Sequence, residues 1–464
     1  MRITTVRSEG LAVLSYFIGS EGEAMIVDPR RDVDIYFDIA KQEETEIRYV
    51  FETHRNEDYV IGSCDVKHRA PSLQIGHSDA TRFKYGDLQI ADGDVFTVGK
   101  IRVTCLNTPG HTDDSMCYIL ADESVGSDPV AVFTGDTLFV GEVGRTDLVD
   151  IKKHEQMSRK LYNSLHDKVL PLKDGVVVYP GHGAGSVCGG AIGERDLTTI
   201  GYERAYNPWL SIDEDEFVER KIDQRLTRAP YFKRCEHLNT IGPPIVVDLP
   251  SPLEMSVDDF EQVMQDDKNV ILDTRSASEF VKGHIPHSIS LPLSHMGLFA
   301  GWVLEDDKDF FFALDVKADL DNARGMLLRV GLDSVIGYLK EGISGWLEAG
   351  KSIKSFQTYS IQELRNQVDG NLLKILDVRQ PHETEKEIIK GSLLAPLTSI
   401  AEDIKKVDAK TPIATMCPAG VRATTGASIL AKAGFENVGV PLEGLKGWQE
   451  AGYPIQKRKA KSRV

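Results

Sequence analysis

The sequence predicts a multidomain α+β/α/β protein whose second and third domains are copies of one α/β fold. Three observations carry that expectation. At 464 residues and about 150 residues per domain, the chain has room for three separate cores. Its C-terminal half repeats, Val270-Ile-Leu-Asp-Thr-Arg275 recurring about 100 residues later as Lys374-Ile-Leu-Asp-Val-Arg379. The residues up to about 240 lack the repeat and show short apolar runs that end in Asp, His or Gly clusters. The expected domains are 1–240, 253–353 and 354–464.

The N-terminal runs are Ala12 to Ile18, Ala24 to Val27, Ile101 to Cys105, Val130 to Phe133 and Val176 to Tyr179. Strands with polar residues at their ends are the usual scaffold for a catalytic or metal site. Arg225 to Pro250, with Pro230, Pro243, Pro244 and Pro250, reads as the linker to the duplicated half. Each copy of the repeat opens with an amphipathic helix, Ser256 to Met264 and Ser360 to Val368, whose serine is an N-cap. A short apolar run ending in Asp-x-Arg follows, which fits a strand buried on both faces. Later landmarks stay in register: Glu279 with Glu383, Pro292-Leu293 with Pro396-Leu397, and Gly345-Trp346 with Gly447-Trp448. Helical and strand patterns then alternate, which predicts a parallel sheet covered by helices. A period this long marks a duplicated domain, because solenoid units run about 20 to 50 residues.

The formal charge of −17 argues against nucleic acid or an anionic membrane surface as a main partner. The basic tail Lys457-Arg458-Lys459 with Lys461 and Arg463 reads as a solvated end. MRITTVRSEG has no apolar signal core and no run reaches the roughly 18 apolar residues of a membrane span, so a soluble, cytoplasmic protein is expected. The six cysteines, Cys64, Cys105, Cys117, Cys188, Cys235 and Cys417, include no CxxC pair. They read as reduced thiols rather than a disulfide framework or thiolate zinc site.

Four polar clusters stand at expected strand ends of the first domain: Thr53-His54-Arg55-Asn56-Glu57-Asp58-Tyr59, Thr108-Pro-Gly-His111-Thr112, Phe133-Thr-Gly-Asp136-Thr137 and Tyr179-Pro-Gly-His182-Gly183. Their order and contexts resemble the metallo-β-lactamase superfamily, which implies an αββα sandwich holding metal at one edge. Most members carry His-x-His-x-Asp-His in the first cluster, whereas Asn56 and Tyr59 stand at two of those histidine positions. Neither suits zinc as imidazole does, so a two-zinc hydrolase site is broken. His54, His111 and Asp136 remain, the two-histidine, one-carboxylate triad of non-haem Fe(II) enzymes. That resembles the persulfide dioxygenase branch, where the equivalent three residues hold a single iron, with zinc as the alternative metal. The resemblance extends to Gly144-Arg145-Thr146-Asp147, where Arg145 either binds the thiol substrate or pairs with a neighbouring acid. Asp58, Asn56 and Tyr59 are expected to order the loop and orient a ligand, and His182 to do the same or to remain from a second metal site. Arg55 and Glu57 put charges into this loop that could narrow access or pair with each other. Cys188 reads as packed.

Cys417-Pro-Ala-Gly-Val-Arg422 follows the apolar run Ile413 to Met416 and precedes a helical stretch, Thr424 to Ala433. A strand, a six-residue loop and a helix start would surround one sulfur with backbone N–H groups. The helix dipole and Arg422 would lower the thiol pKa and hold a persulfide or thiosulfate anion. With Asp377, Arg379, Glu383 and Gly444-Leu-Lys-Gly-Trp448 this resembles the rhodanese family, whose cysteine is transiently persulfidated; Cys417 and Arg422 become the catalytic pair and Gly420 part of the anion cradle. Aligned through Gly331 and Gly434, the first copy puts Leu314 at the place of Cys417 and Asp319 at that of Arg422. It therefore reads as a rhodanese-like domain without the chemistry, and His284 as part of its fold signature.

The whole order of parts resembles the persulfide dioxygenase and rhodanese fusion proteins. That implies oxidation of a low-molecular-weight thiol persulfide, of glutathione, coenzyme A or similar, by O₂ to sulfite at one Fe(II), coupled to sulfur transfer at Cys417 that makes or uses thiosulfate. The alternatives are a glyoxalase II-like thioester hydrolase fused to a sulfurtransferase, and a degenerate metal domain with persulfide exchange or sensing only. A homo-oligomer is the generic expectation for a soluble enzyme.

Overall fold

A computed structural model describes residues 1–224 and 226–458, which divide into two compact units. The first unit spans residues 1–249 with a short return of 328–331. Its first sheet orders β1 (Arg2–Ser8), β2 (Val13–Ser20), β3 (Glu23–Val27), β4 (Glu46–Phe51), β5 (Gln74–Ser78) and β6 (Leu88–Ile90) side by side. The second is built of β7 (Val95–Val98), β8 (Ile101–Asn107), β9 (Met116–Asp122), β10 (Ala131–Gly135), β11 (Val177–Pro180) and β12 (Thr198–Thr199), again in neighbour order.

The inner faces share one core, with Tyr16, Ile18, Met25 and Phe51 of the first sheet clustered with Val103, Tyr118, Leu120 and Phe133 of the second. Each outer face carries helices: Asp34–Gln42 packs on the first sheet through Tyr36 and Ile39, and His154–Asn163 on the second through Leu161. This is the expected αββα sandwich. It explains why β2 is buried along its whole length, a sequence with no polar face. The stretch read as a linker is not one throughout. Phe232–Ile241 is a ten-residue helix of the first unit, and its Asn239 side chain donates to the backbone oxygens of Asn56 and Tyr59 and accepts from Ile61 N–H. Arg225 lies outside the described residues.

The second unit holds both copies of the repeat. In the first copy β13 (Leu253–Met255), β14 (Asn269–Asp273), β15 (Ile289–Ser290), β16 (Asp309–Ala313) and β17 (Val335–Leu339) form an all-parallel sheet in the order β13-β17-β16-β14-β15. In the second, β18 (Gln357–Thr358), β19 (Lys374–Asp377), β21 (Leu393–Leu394), β22 (Ile413–Met416) and β23 (Val438–Val440) repeat that order as β18-β23-β22-β19-β21. A two-stranded addition pairs β20 (Glu387–Ile388) with β24 (Gln456–Lys457). Lys457 and Arg458 of the basic tail are thus tied down, Arg458 N–H donating to Lys386 O, while Lys459, Lys461 and Arg463 lie outside the described residues.

Both opening helices start as expected, Val257–Val263 capped by Ser256 and Ile361–Asp369 capped by Ser360. The two copies touch where the helix Val421–Lys432 meets β15, with Ser290 N–H donating to Ser428 Oγ at 3.0 Å. Among the described residues no helix is long and apolar enough to cross a membrane.

Candidate functional site

In the first unit the site lies just beyond the carboxyl ends of four segments. His54 follows β4, His111 sits in the turn from β8 to β9, Asp136 follows β10, and His182 follows β11. Gly135 has φ of +46°, and a Cβ there would sit 2.5 Å from Thr53 Oγ1, so only glycine lets Asp136 approach the His54 loop. All four side chains are buried. His54, His111 and Asp136 present ligand atoms within 4.8 Å of one another. His111 Nε2 is 3.4 Å from Asp136 Oδ2, and His54 Nε2 is 4.0 Å from the same oxygen.

The neighbours fix which atoms point inward. Thr53 Oγ1 donates to Asp28 Oδ2 at 2.6 Å, leaving its lone pairs to accept from His54 Nδ1–H at 2.9 Å. His111 Nδ1–H donates to the Arg145 backbone oxygen at 3.0 Å, a partner that can only accept. Each ring therefore turns Nε2 into the site. Asp136 is held from behind, its Oδ1 accepting from His182 Nδ1–H at 2.8 Å while His182 Nε2–H donates to Asp58 Oδ2 at 2.8 Å.

His54 Nε2 and Asp136 Oδ2 are buried without a hydrogen-bond partner. Two acceptors left bare in the interior are costly unless a cation joins them, and their donor chemistry suits one. A bound metal, implied by the superfamily resemblance, therefore fits the residues present. The carboxylates make the pocket a negative one: burial lowers His54, whereas Glu57 and Asp136 outweigh burial and push His111 up to about 9. Against its own burial, Asp136 is held well below the usual carboxylate range by His182 and His111.

The remaining loop residues sort plainly. Asn56 turns away, its Nδ2 donating to the His54 carbonyl at 3.2 Å, and Tyr59 is buried with its hydroxyl on the Asp28 carbonyl at 3.3 Å. Arg55 N–H donates to Asp114 Oδ2, while Glu57 points at His111 and at Cys188 instead of at Arg55. Arg145 spends its guanidinium on the protein: both Asp147 oxygens at 2.7 Å, and the Val187, Leu226 and Thr227 carbonyls. Of the two roles weighed for it, the geometry draws the ion pair with a neighbouring acid. Cys188 is packed, and burial raises its thiol well above the ordinary value. Sequence reasoning passed over three contributors: Thr53 and Asp28, which fix the His54 tautomer, and Asn239, which holds the loop from a helix read as linker. Only the Thr next to His54 was visible as a motif.

In the second unit, Cys417 stands at the carboxyl end of β22 and is 2% exposed. The helix begins at Val421, so the loop is four residues rather than six and Arg422 sits in the first helical turn. Gly420, with φ of +82°, reverses the chain so that the N–H groups of Ala419, Gly420 and Ala423 face the sulfur, Ala423 N–H at 3.3 Å. The expectation of a lowered thiol pKa needs correction. Burial outweighs these donors and the Arg422 charge, and raises the thiol above its ordinary value. Arg422 is itself paired, donating to both Glu383 oxygens at 2.6 and 2.9 Å. In the first copy β16 runs into Leu314-Asp315-Val316, then a 3₁₀ turn Lys317–Asp319, and the helix Leu320–Leu328 starts only after it. His284 Nδ1–H donates to the Phe280 carbonyl at 2.9 Å and the ring stacks on that of Phe280, inside the fold.

Comparison with known proteins bears on both units. Residues 9–182 match the metallo-beta-lactamase superfamily, and residues 256–349 and 360–451 each match the rhodanese-like domain. The human protein named persulfide dioxygenase ETHE1, mitochondrial, is 28% identical over 212 residues, 44% of this chain and 74% of that one. A probable hydroxyacylglutathione hydrolase, glo2 of Schizosaccharomyces pombe, is 33% identical over 161 residues, 34% of this chain and 57% of that protein. A crystal structure of a metallo-beta-lactamase from Staphylococcus aureus subsp. aureus COL aligns with a TM-score of 0.65 at 28% identity, covering 73% of this chain and 98% of that one. That span is longer than the metallo-beta-lactamase match alone.

Proposed function

The chain is an enzyme that joins a metallo-β-lactamase-superfamily domain to two rhodanese-like domains, and on that premise we propose that it is an Fe(II) persulfide dioxygenase coupled to a sulfurtransferase. The observation that carries this is the pair of bare, buried acceptors, His54 Nε2 and Asp136 Oδ2, facing His111 Nε2, with no imidazole at positions 56 and 59 to build a second site. His54, His111 and Asp136 would hold one iron, which supplies the redox chemistry that lets O₂ react with sulfur. The overall change is RSSH + O₂ + H₂O → RSH + HSO₃⁻ + H⁺, in which the outer sulfur is oxidised and O₂ reduced. Thr53 and the Arg145 carbonyl keep both imidazoles in the ligating tautomer, and His182 fixes Asp136 by holding its other oxygen. A small thiol such as glutathione or coenzyme A carries the substrate sulfur.

At Cys417 the proposed step is nucleophilic. A Cys417 persulfide gives its outer sulfur to sulfite: the sulfur–sulfur bond to the enzyme breaks, a new one forms in thiosulfate, and Cys417 leaves as thiolate. The inward N–H groups of Ala419, Gly420 and Ala423 stabilise that anion, and the reverse transfer loads the cysteine from thiosulfate. A shared chain raises the effective concentration of sulfite for this step.

The fission-yeast relative favours one rival, metal-dependent thioester hydrolysis. Metal analysis with O₂ uptake on glutathione persulfide, beside hydrolysis of a glutathione thioester, separates the two. One iron per chain with sulfite formation is expected; two zincs with thioester cleavage replace the proposal. A metal-free chain that still makes thiocyanate from thiosulfate and cyanide leaves persulfide exchange alone.

A further inference from the structure

Glu57 belongs to the metal loop but has no task in the function just described. It is 1% exposed. Its Oε2 lies 3.3 Å from His111 Nε2 and 3.8 Å from His54 Nε2, the same two nitrogens that Asp136 Oδ2 faces at 3.4 and 4.0 Å. Its other oxygen, Oε1, accepts from the Cys188 thiol at 3.2 Å, which fixes the carboxylate plane. Two carboxylate oxygens thus converge on one pair of imidazole nitrogens. Separations of 3.3–4.0 Å suit neighbouring donors around one ion bonded at roughly 2.0–2.2 Å.

We propose that Glu57 is a fourth protein donor to the metal, completing a set of two histidines and two carboxylates. This rests on the proposed metal at His54, His111 and Asp136. Two carboxylates cancel the charge of a divalent ion, so the burial of ion and ligands carries no net charge into the interior. Four protein donors also choose among metals. A catalytic zinc keeps one of four positions open, and a four-donor zinc is a closed structural site. An ion that prefers six donors would retain room beyond four protein donors for a single substrate sulfur atom and for O₂. The substrate class that follows is a monodentate one: a persulfide held by its outer sulfur alone, its thiol carrier recognised elsewhere. The competing role for Glu57 is a counter-ion to His111 that fills the metal's place.

The test is an anaerobic titration of the chelator-stripped full chain with Fe(II), and with Co(II) as a visible-absorption probe of coordination number. Glu57→Gln is expected to weaken Fe(II) binding about 10- to 100-fold and to change the intensity of the Co(II) bands. Glu57→Asp, which keeps the charge but withdraws the oxygen by one methylene, is expected to fall between them and serves if the glutamine variant does not fold. Binding as tight as wild type or tighter in Glu57→Gln, with an unchanged Co(II) spectrum, overturns the proposal and leaves the iron triad standing. A wild-type chain that takes up neither ion overturns both.

Discussion

The two halves of the second unit share a frame and differ in one loop. Asp273 clasps Arg275 and Asp377 clasps Arg379 through the same pairs of oxygens, and each arginine reaches a carbonyl eight residues on, Gly283 and Glu387, at 2.8 Å. Trp346 and Trp448 both donate their indole N–H to the carbonyl six residues later. Gly342 and Gly444, with φ of +55° and +60°, let the backbone press on the residue after the central strand, where a Cβ would stand 2.1 Å from Leu314 O or 2.3 Å from Cys417 O. The frame therefore does not depend on the loop: it persists where Leu314 and Asp319 stand for the cysteine and the arginine and a 3₁₀ turn, Lys317–Asp319, precedes the helix.

The largest way to break that comparison is Cys417→Ser. Thiocyanate formation from thiosulfate and cyanide is expected to drop by at least about 1000-fold, and adding Leu314→Cys to that variant is expected to restore nothing, because the 3₁₀ turn supplies no nest. Retained turnover in the single variant would move the transfer to another thiol. Next, Trp346→Ala and Trp448→Ala should each cost about 3–5 kcal/mol in urea unfolding, since both rings are fully enclosed; a cheap Trp346 variant would mean the first copy has let its frame go.

Arg422→Leu is expected to lower kcat/KM for thiosulfate about 100-fold. Its charge favours the thiolate while burial opposes it, so the pH midpoint of Cys417 alkylation should lie above that of a free thiol and climb further in this variant. A midpoint below the free-thiol value would reverse the assignment of causes. The smallest effect is at the caps. Ser360 and Glu363 form a reciprocal box, whereas Ser256 accepts from Asp259 N–H without the return bond. Ser360→Ala should cost about 1 kcal/mol and Ser256→Ala less, read as shifts in thermal midpoint.

Much of this was legible in the chain. Strand runs such as Ile101 to Cys105, the capped helices and the duplicated Asp-x-Arg strands follow from local periodicity and turn chemistry, which need no tertiary knowledge. The site was legible where motif order carried it, at His54, His111, Asp136 and Cys417. What escaped depends on three-dimensional convergence. Glu57 looked like a loop charge because nothing in the sequence says that its carboxylate meets His111. For Arg145 the sequence left substrate binding and an ion pair open, because Asp147 is near in sequence while the further acceptors at Val187, Leu226 and Thr227 are remote. Asn239 hid in a proline-rich stretch whose flanks do read as linker, and the thiol pKa of Cys417 was misjudged because dipole and arginine are visible in sequence while burial is not.

The hydrogen bond from Ser290 N–H to Ser428 Oγ has a mechanical side. The helix that aims its N-terminus at Cys417 leans on β15 of the first copy, so that copy serves as a buttress for the element that carries the cysteine loop. A load placed on β15 is passed through a buried hydrogen bond to the helix, and cutting away the first copy would leave that helix face bare.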